Sequence, residues 1–247
     1  LFSEPIPLTT GFGSLQGNVG EISNKGVEIA FSSTNIDGDL KWTTNFNISR
    51  NLNKVEFLAD SLPIFAGYSA SGANATNVVV EGQPLGTFWG LTFLGVDPAT
   101  GDAIYEDAND DGSITPDDAG VIGNAQPDFI GGITNRFNYK NFDLNVFFQF
   151  SYGNDILNFS NTALLDGGED LNNNQVREAL QRWREPGDIS HIPRYEAGNT
   201  FNNRHSSRFL EDGSFLRLKN VSLGYNLPRR LMQQLRPILR SFAPRPV

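Results

Sequence analysis

The clearest regularity in this 247-residue chain is a two-residue alternation over 40–50, where Leu40, Trp42, Phe46 and Ile48 share one parity and Lys41, Thr43, Asn45, Asn47 and Ser49 the other. Successive side chains of a strand point to opposite faces, so this pattern predicts a two-faced strand. About ten residues is the length a tilted strand needs to cross the hydrocarbon core of a bilayer, whereas strands of soluble domains average about five or six. Just upstream, Val27, Ile29 and Phe31 alternate with Glu28, Ala30 and Ser32. Asp37-Gly38 supplies a two-residue turn between the runs, which predicts a tight hairpin over 24–50. A second hairpin repeats the design: Phe129, Gly131, Ile133, Phe137 and Tyr139, then Phe142, Leu144, Val146, Phe148 and Phe150, meet at Lys140-Asn141. A last strand over 215–227 carries Val221, Leu223, Tyr225 and Leu227 on one face, with Leu216 and Leu218 out of phase. The phase change predicts a bulge, or an exit from the membrane, near Lys219-Asn220, and Pro228 ends the ladder.

The connections alternate between minimal and very long. Residues 51–128 separate the two hairpins and 153–213 lead to the last strand, both rich in Asn, Asp, Gly and Pro. Outer-membrane barrels place short turns on the periplasmic side and long loops outside, while compact soluble domains rarely carry loops of this length. The fold expected is therefore all-β: part of an antiparallel transmembrane β-barrel, with extracellular loops at about 51–128 and 153–213. Trp42, Tyr139, Phe142, Tyr152 and Tyr225 near strand ends suit an interfacial aromatic girdle, although aromatic residues also favour strands generally. A secreted calcium- and glycan-binding β-sandwich module is the alternative, because its inward faces are equally apolar. The two differ in one respect: a barrel exposes Trp42, Phe46, Phe148 and Leu223 in a continuous band, and a sandwich buries them under a second sheet. Within the second loop, Val176, Ala179, Leu180 and Trp183 fall at helical spacing before Pro186-Gly187, which predicts a short amphipathic helix over 172–184, with Trp183 packed against the loop's own core.

Composition narrows the function. Nineteen Lys and Arg against 28 Asp and Glu give a formal charge of −9, which removes the electrostatic footprint of a nucleic-acid binder. The chain has no Cys, so disulfides, thiolate metal sites and cysteine nucleophiles are excluded. His191 and His205 are the only histidines and lie beside no Ser or Glu motif, which argues against a triad or a His-rich metal centre and gives no catalytic residue. A glycosidase would need two facing carboxylates about 5 to 10 Å apart. No run of about 18 apolar residues is present, and 1–10 lack the basic and apolar regions of a signal peptide.

The acids concentrate instead at 107–118. Asp107, Asn109, Asp111, Ser113, Thr115 and Asp118 stand at positions 1, 3, 5, 7, 9 and 12 of a loop with Gly112 at position 6. Calcium takes six to eight oxygens and needs a glycine for the sharp bend, so these six residues are the candidate Ca²⁺ ligands, with Asp in place of the bidentate Glu at position 12. Such an ion would order a surface loop and perform no chemistry. The bland reading is an Asp-Gly loop that holds no metal. Phe88, Trp89 and Tyr195 are candidates for stacking on sugar rings if they are exposed.

Four collinear stretches carry a family resemblance: 18–29 (NVGEISNKGVEI), 40–49 (LKWTTNFNIS), 123–132 (GNAQPDFIGG) and 211–225 (EDGSFLRLKNVSLGY). Together they resemble the C-terminal barrel portion of the SusC/RagA family of TonB-linked outer-membrane receptors. The resemblance implies a wall segment of a 22-stranded barrel in the bacterial outer membrane, with the signal peptide, TonB-contacting segment, plug domain and N-terminal barrel strands expected upstream. It also implies the partners: outer-membrane lipid, a SusD-like surface lipoprotein as lid, the TonB complex acting through the upstream part, and an oligosaccharide or peptide as cargo. Residues 231–247 depart from the family's pattern, which would continue through another strand to an aromatic end.

Overall fold

The computed structural model describes residues 20–59, 62–66 and 76–228, the backbone of two short strands before them, and the isolated residues Thr9 and Gln233. Gln233 apart, the departure from the family pattern at 231–247 lies outside the described residues. In chain order the strands are β1 (Phe2–Pro5), β2 (Ser14–Gly17), β3 (Gly20–Asp37), β4 (Leu40–Leu58), β5 (Ile64–Ala66), β6 (Asn77–Val79), β7 (Thr87–Gly90), β8 (Phe93–Val96), β9 (Ala103–Tyr105), β10 (Gly120–Asn124), β11 (Phe129–Tyr139), β12 (Phe142–Tyr152), β13 (Asp155–Leu157), β14 (Leu210–Asp212) and β15 (Phe215–Tyr225). The helix α1 (Phe159–Leu164) and short 3-10 turns complete the order. Among the described residues no helix is long and apolar enough to cross a membrane, which says nothing about strands. The chain forms two units. One gathers 27–50, 129–152 and 215–247; the other gathers 1–26, 51–128 and 153–214.

The first unit is a wall of five strands in the order β15-β12-β11-β4-β3. β11 pairs antiparallel with β4 and β12, and β12 with β15, so each residue opposite another shares its face. The register stacks five rows on one face: Leu40–Tyr139–Phe142–Tyr225, Trp42–Phe137–Leu144–Leu223, Thr44–Asn135–Val146–Val221, Phe46–Ile133–Phe148–Leu218 and Ile48–Gly131–Phe150–Leu216. The rows between them on the other face are mainly polar, for example Thr43–Arg136–Asn145–Ser222 and Asn47–Gly132–Gln149–Arg217. A bulge skips Lys219: Phe147 faces Asn220 and Phe148 faces Leu218. The extra residue returns Leu216 and Leu218 to the apolar face from which their sequence parity had removed them.

That apolar face is uncovered. Leu216 and Leu223 are each 71% exposed, and Trp42, Phe46 and Val146 are half-buried beside their strand neighbours, with none enclosed in a protein interior. Rings touch along the face, Trp42 on Phe137 at 5.6 Å and Phe142 on Tyr225 at 4.7 Å between centroids. The β11–β12 turn needs only Lys140 and Asn141, with Lys140 in the left-handed region at φ 53°. The two-residue register expected from sequence holds across all three described pairings. The first hairpin is longer than the expected 24–50, because its arms go on pairing through side-chain bonds such as Ser23 to Glu56 at 2.7 Å and Asn53 to Asn24 at 2.8 Å.

The second unit holds the long connections, which carry structure of their own. β10, β7, β6 and β5 form one small sheet, and β8 pairs with β9. Leu91, Ala103 and Tyr105 form a buried cluster with Phe93, Ile114, Ala119 and Phe201 packed on it. The helix expected at 172–184 is a 3-10 turn at Arg177–Gln181 only. Side chains take the carbonyls that a continued helix would use: the Arg184 guanidinium donates to Leu180 O, and the Ser190 hydroxyl donates to Gln181 O. Trp183 N donates instead to Ile192 O. Competition of this kind is the usual reason a helical pattern is interrupted.

Candidate functional site

The loop 107–118 is built by its own backbone. Asp107 accepts from Asp111 N at 3.2 Å and Gly112 N at 2.7 Å, Asn109 Oδ1 accepts from Asp111 N at 2.9 Å, and Asp111 Oδ1 accepts from Ser113 N at 2.8 Å. Gly112 sits at φ 83°, the left-handed conformation for which a glycine is needed. Asp118 ends the short 3-10 turn Pro116–Asp118, capped by the Thr115 hydroxyl, and is 3% exposed. Its carboxylate accepts from Thr115 N at 2.7 Å, Ala108 N at 3.0 Å and Asn109 N at 3.4 Å. These bonds, Thr115 N foremost, hold the Asp118 carboxyl below the usual aspartate range. The six candidate ligands thus lie on one loop, with Asp107, Asn109 and Asp111 on its first turn and Asp118 closing it. Among the described residues, no three Asp, Glu or His side chains converge in a metal-holding group.

The aromatic candidates divide. Phe88 is buried and offers no ring face to a sugar; Trp89 is half-buried with Phe65 edge-to-face at 5.6 Å; Tyr195 is exposed, with Arg182 at 5.8 Å from its centroid. Trp183 lies over Gly101 and donates from Nε1 to Pro98 O at 3.0 Å; both partners belong to the other long loop, so it packs across the two connections and not, as expected, against the core of its own. His191 is exposed. His205 is buried, and both its ring nitrogens lack a partner among the described residues, so no side chain orients it as a catalytic base; burial pulls its pKa down.

Sequence reading missed the groups that hold the long loops. Asp166, buried, accepts from Gly168 N at 3.0 Å, Asp170 N at 3.2 Å and Gln175 Nε2 at 2.9 Å. Arg208 donates to Asn202 O and Leu165 O, both at 3.0 Å, and desolvation lowers its pKa to about 10, while burial raises the neighbouring Tyr105 phenol to about 12. No spacing announces such groups: Arg208 reaches a carbonyl 43 residues away, and the bonds of Asp166 to nearby amides follow no periodic pattern.

What remains as the functional surface is the wall itself, apolar on one face and polar on the other, with long structured connections following short turns. No family model matches the chain. It is 36% identical to the TonB-dependent receptor P3 of Formosa agariphila over an alignment of 251 residues, covering 94% of this chain and 24% of that receptor. To the TonB-dependent receptor SusC of Bacteroides thetaiotaomicron it is 26% identical over 245 residues, covering 92% of this chain and 23% of that one. The solved structure of the RagAB peptide transporter superposes with a TM-score of 0.76 at 24% identity over 94% of this chain and 26% of that chain.

The chain is homologous to one segment of TonB-dependent receptors, SusC among them.

It spans about a quarter of the length of the curated receptors it matches. The open five-stranded wall is what a portion of their outer-membrane barrel requires: an exposed apolar band for lipid, and a polar face for the lumen. The exposed band also sets aside the sandwich alternative, in which a second sheet would cover it.

Proposed function

We propose that the receptor containing this chain imports a nutrient across the outer membrane by the TonB-dependent route, and that its cargo is an oligosaccharide. The observation that carries the reading is the two-faced wall, five rows of lipid-facing side chains backed by polar rows, in a chain related to TonB-dependent receptors. In this reading the wall strands line the translocation path and the connections near 51–128 and 153–213 lie outside the cell. A SusD-like surface lipoprotein closes over them, and the TonB complex acts on parts of the receptor beyond this segment. The 107–118 loop enters as a Ca²⁺-ordered surface loop, supported by the spacing of its oxygen-bearing residues and by Gly112 at φ 83°.

A peptide cargo is the second reading, favoured by the likeness in fold to a structure described as a peptide transporter. Deleting the receptor gene in its own host and comparing growth on single glycans with growth on peptides as sole carbon source separates the two. Loss of growth on one or more glycans, with peptides unaffected, is the expected result. Loss on peptides alone would transfer the function to the second reading, and no loss on either would remove the import role.

A further inference from the structure

On the lumen-side face of β12 the side chains run Asp143, Asn145, Phe147, Gln149 and Ser151, so a single ring interrupts a polar series. Two features of the neighbouring strands converge on that ring. On β11 the ring's far end lies over bare backbone: a Cβ on Gly132 would stand 2.7 Å from Phe147 Cε2, so any larger residue there would displace the ring. On β15 the bulge that skips Lys219 falls directly opposite Phe147, and bulges recur where a sheet re-aims a side chain beside a site.

The ring lines an open concavity of about 700 Å³ on the wall, together with Glu28, Asn47, Ser49 and Gln149. Those four polar side chains make no hydrogen bond with any described residue, so their donors and acceptors are unspent. The immediate lining includes one carboxylate and no Lys, Arg or His, and the Arg217 guanidinium next to Gln149 in the same row is turned onto the Phe215 ring at 4.5 Å, which favours a neutral ligand over an anionic one. It lies on the face of the sheet, and the open edge of β3 in this segment is one that a closed receptor barrel pairs, so a peptide main chain finds no free strand edge there. A flat apolar ring surrounded by amide, hydroxyl and carboxylate groups suits a neutral sugar, whose C–H face packs on the ring while its hydroxyls bond to the rim.

We propose that Phe147, seated on Gly132 and rimmed by Glu28, Asn47 and Gln149, is the platform of a subsite for one unit of a neutral oligosaccharide on the lumen wall. The inference rests on the glycan reading above and deepens it. The test uses the full-length receptor purified in detergent, titrated calorimetrically with neutral linear heptasaccharides of glucose, mannose, xylose and galactose, and with an oligogalacturonate of the same length.

Wild type is expected to bind at least one neutral heptasaccharide and to reject the oligogalacturonate. Phe147→Ala should weaken that binding about tenfold, a loss of the size expected for removing a ring contact. Phe147→Tyr should retain it, and Gln149→Ala or Asn47→Ala should weaken it even if Phe147→Ala folds poorly, as judged by heat-modifiable mobility on gels. Unchanged affinity in folded Phe147→Ala and Gln149→Ala would overturn the subsite while leaving glycan import intact. Tighter binding of the oligogalacturonate would overturn the neutral assignment. Binding of no sugar by wild type would overturn the subsite, and the glycan reading with it only if the growth experiment also fails. A Gln149→Cys receptor that resists a small maleimide would show the concavity covered, by a plug segment for instance, and would also overturn the proposal.

Discussion

Arginine placed singly at the outward positions of β15 gives the sharpest test of the wall. Tyr225, Leu223, Val221, Leu218 and Leu216 occupy the five rows in order, the last two restored to this face by the bulge. On β11, two strands along the sheet, Tyr139 and Phe129 are ten residues apart. At about 3.4 Å per residue and a tilt of about 40°, that interval spans about 25 Å of height, the thickness of a barrel's apolar band. Each row then rises about 5 Å, which puts Val221 and Leu218 within about 3 Å of the midplane and Tyr225 at the interface. An arginine on the lipid face costs about 2–4 kcal/mol at the midplane and about 0–1 kcal/mol near the interfaces. Unfolding of the full-length receptor from lipid vesicles by guanidinium, followed by tryptophan fluorescence, should therefore give losses that rise from Tyr225→Arg to a maximum at Val221→Arg and Leu218→Arg and fall again at Leu216→Arg. All five sites are at least half exposed. On a water-facing surface arginine would cost almost nothing at any of them, and a flat profile would refute the lipid-facing assignment. A maximum displaced by two rows would refute the bulge register.

Four further outcomes are expected. The 247-residue chain expressed alone should aggregate, because β3 and β15 end the sheet with open edges beside a bare apolar face; a monomer that melts cooperatively in plain buffer on light scattering and calorimetry would contradict this. Gly101→Ala should destabilise the long-loop unit by more than about 1 kcal/mol, since Gly101 lies at φ 78° and a Cβ there overlaps the Trp183 ring, and unaltered proteolysis of the loop in the full receptor would count against it. His205 is buried neutral with its pKa below the ordinary 6.5, so the unfolded chain binds the proton more tightly; its contribution to loop stability should be complete above about pH 6.5 and decline as pH falls towards the depressed value, and His205→Phe should flatten that decline in hydrogen exchange. Asp118→Asn should lower the melting temperature of the loop by several degrees, because the carboxylate accepts from three backbone amides, and millimolar Ca²⁺ should raise the wild-type value but not the variant's; no response to Ca²⁺ in wild type would remove the ion.

The wall was legible because its signal has a period of two and a physical cause at every position. Leu40, Trp42, Phe46 and Ile48 against Lys41, Thr43, Asn45 and Asn47 fixed both faces of β4, and the phase slip before Val221 located the Lys219 bulge. The family resemblance reached the same segments by another route. The long connections were opaque. The small sheet of β5, β6, β7 and β10 is made of strands three to five residues long, too short for periodicity to register. Helical spacing at Val176, Ala179, Leu180 and Trp183 misled because Arg184 and Ser190 capture the turn's carbonyls, a tertiary choice that local spacing does not encode. At the candidate site, sequence gave the order of oxygens in 107–118; only coordinates revealed how many of them their own amides occupy. Phe147 stood out in no sequence pattern, and its significance needed Gly132 and the bulge beside it.

The long-loop unit is knit largely by Asp and Asn side chains bonded to nearby amides, as at Asp166, Asp118 and Asn199. Ties of that kind are short-ranged and close within a few residues, so altering one turn leaves its neighbours standing. The lipid-facing ladder has no such latitude, because a one-residue slip inverts every side chain along it. Variation among related receptors should therefore accumulate in these connections, where new specificities can arise by exchanging independent turns upon an unchanged stave.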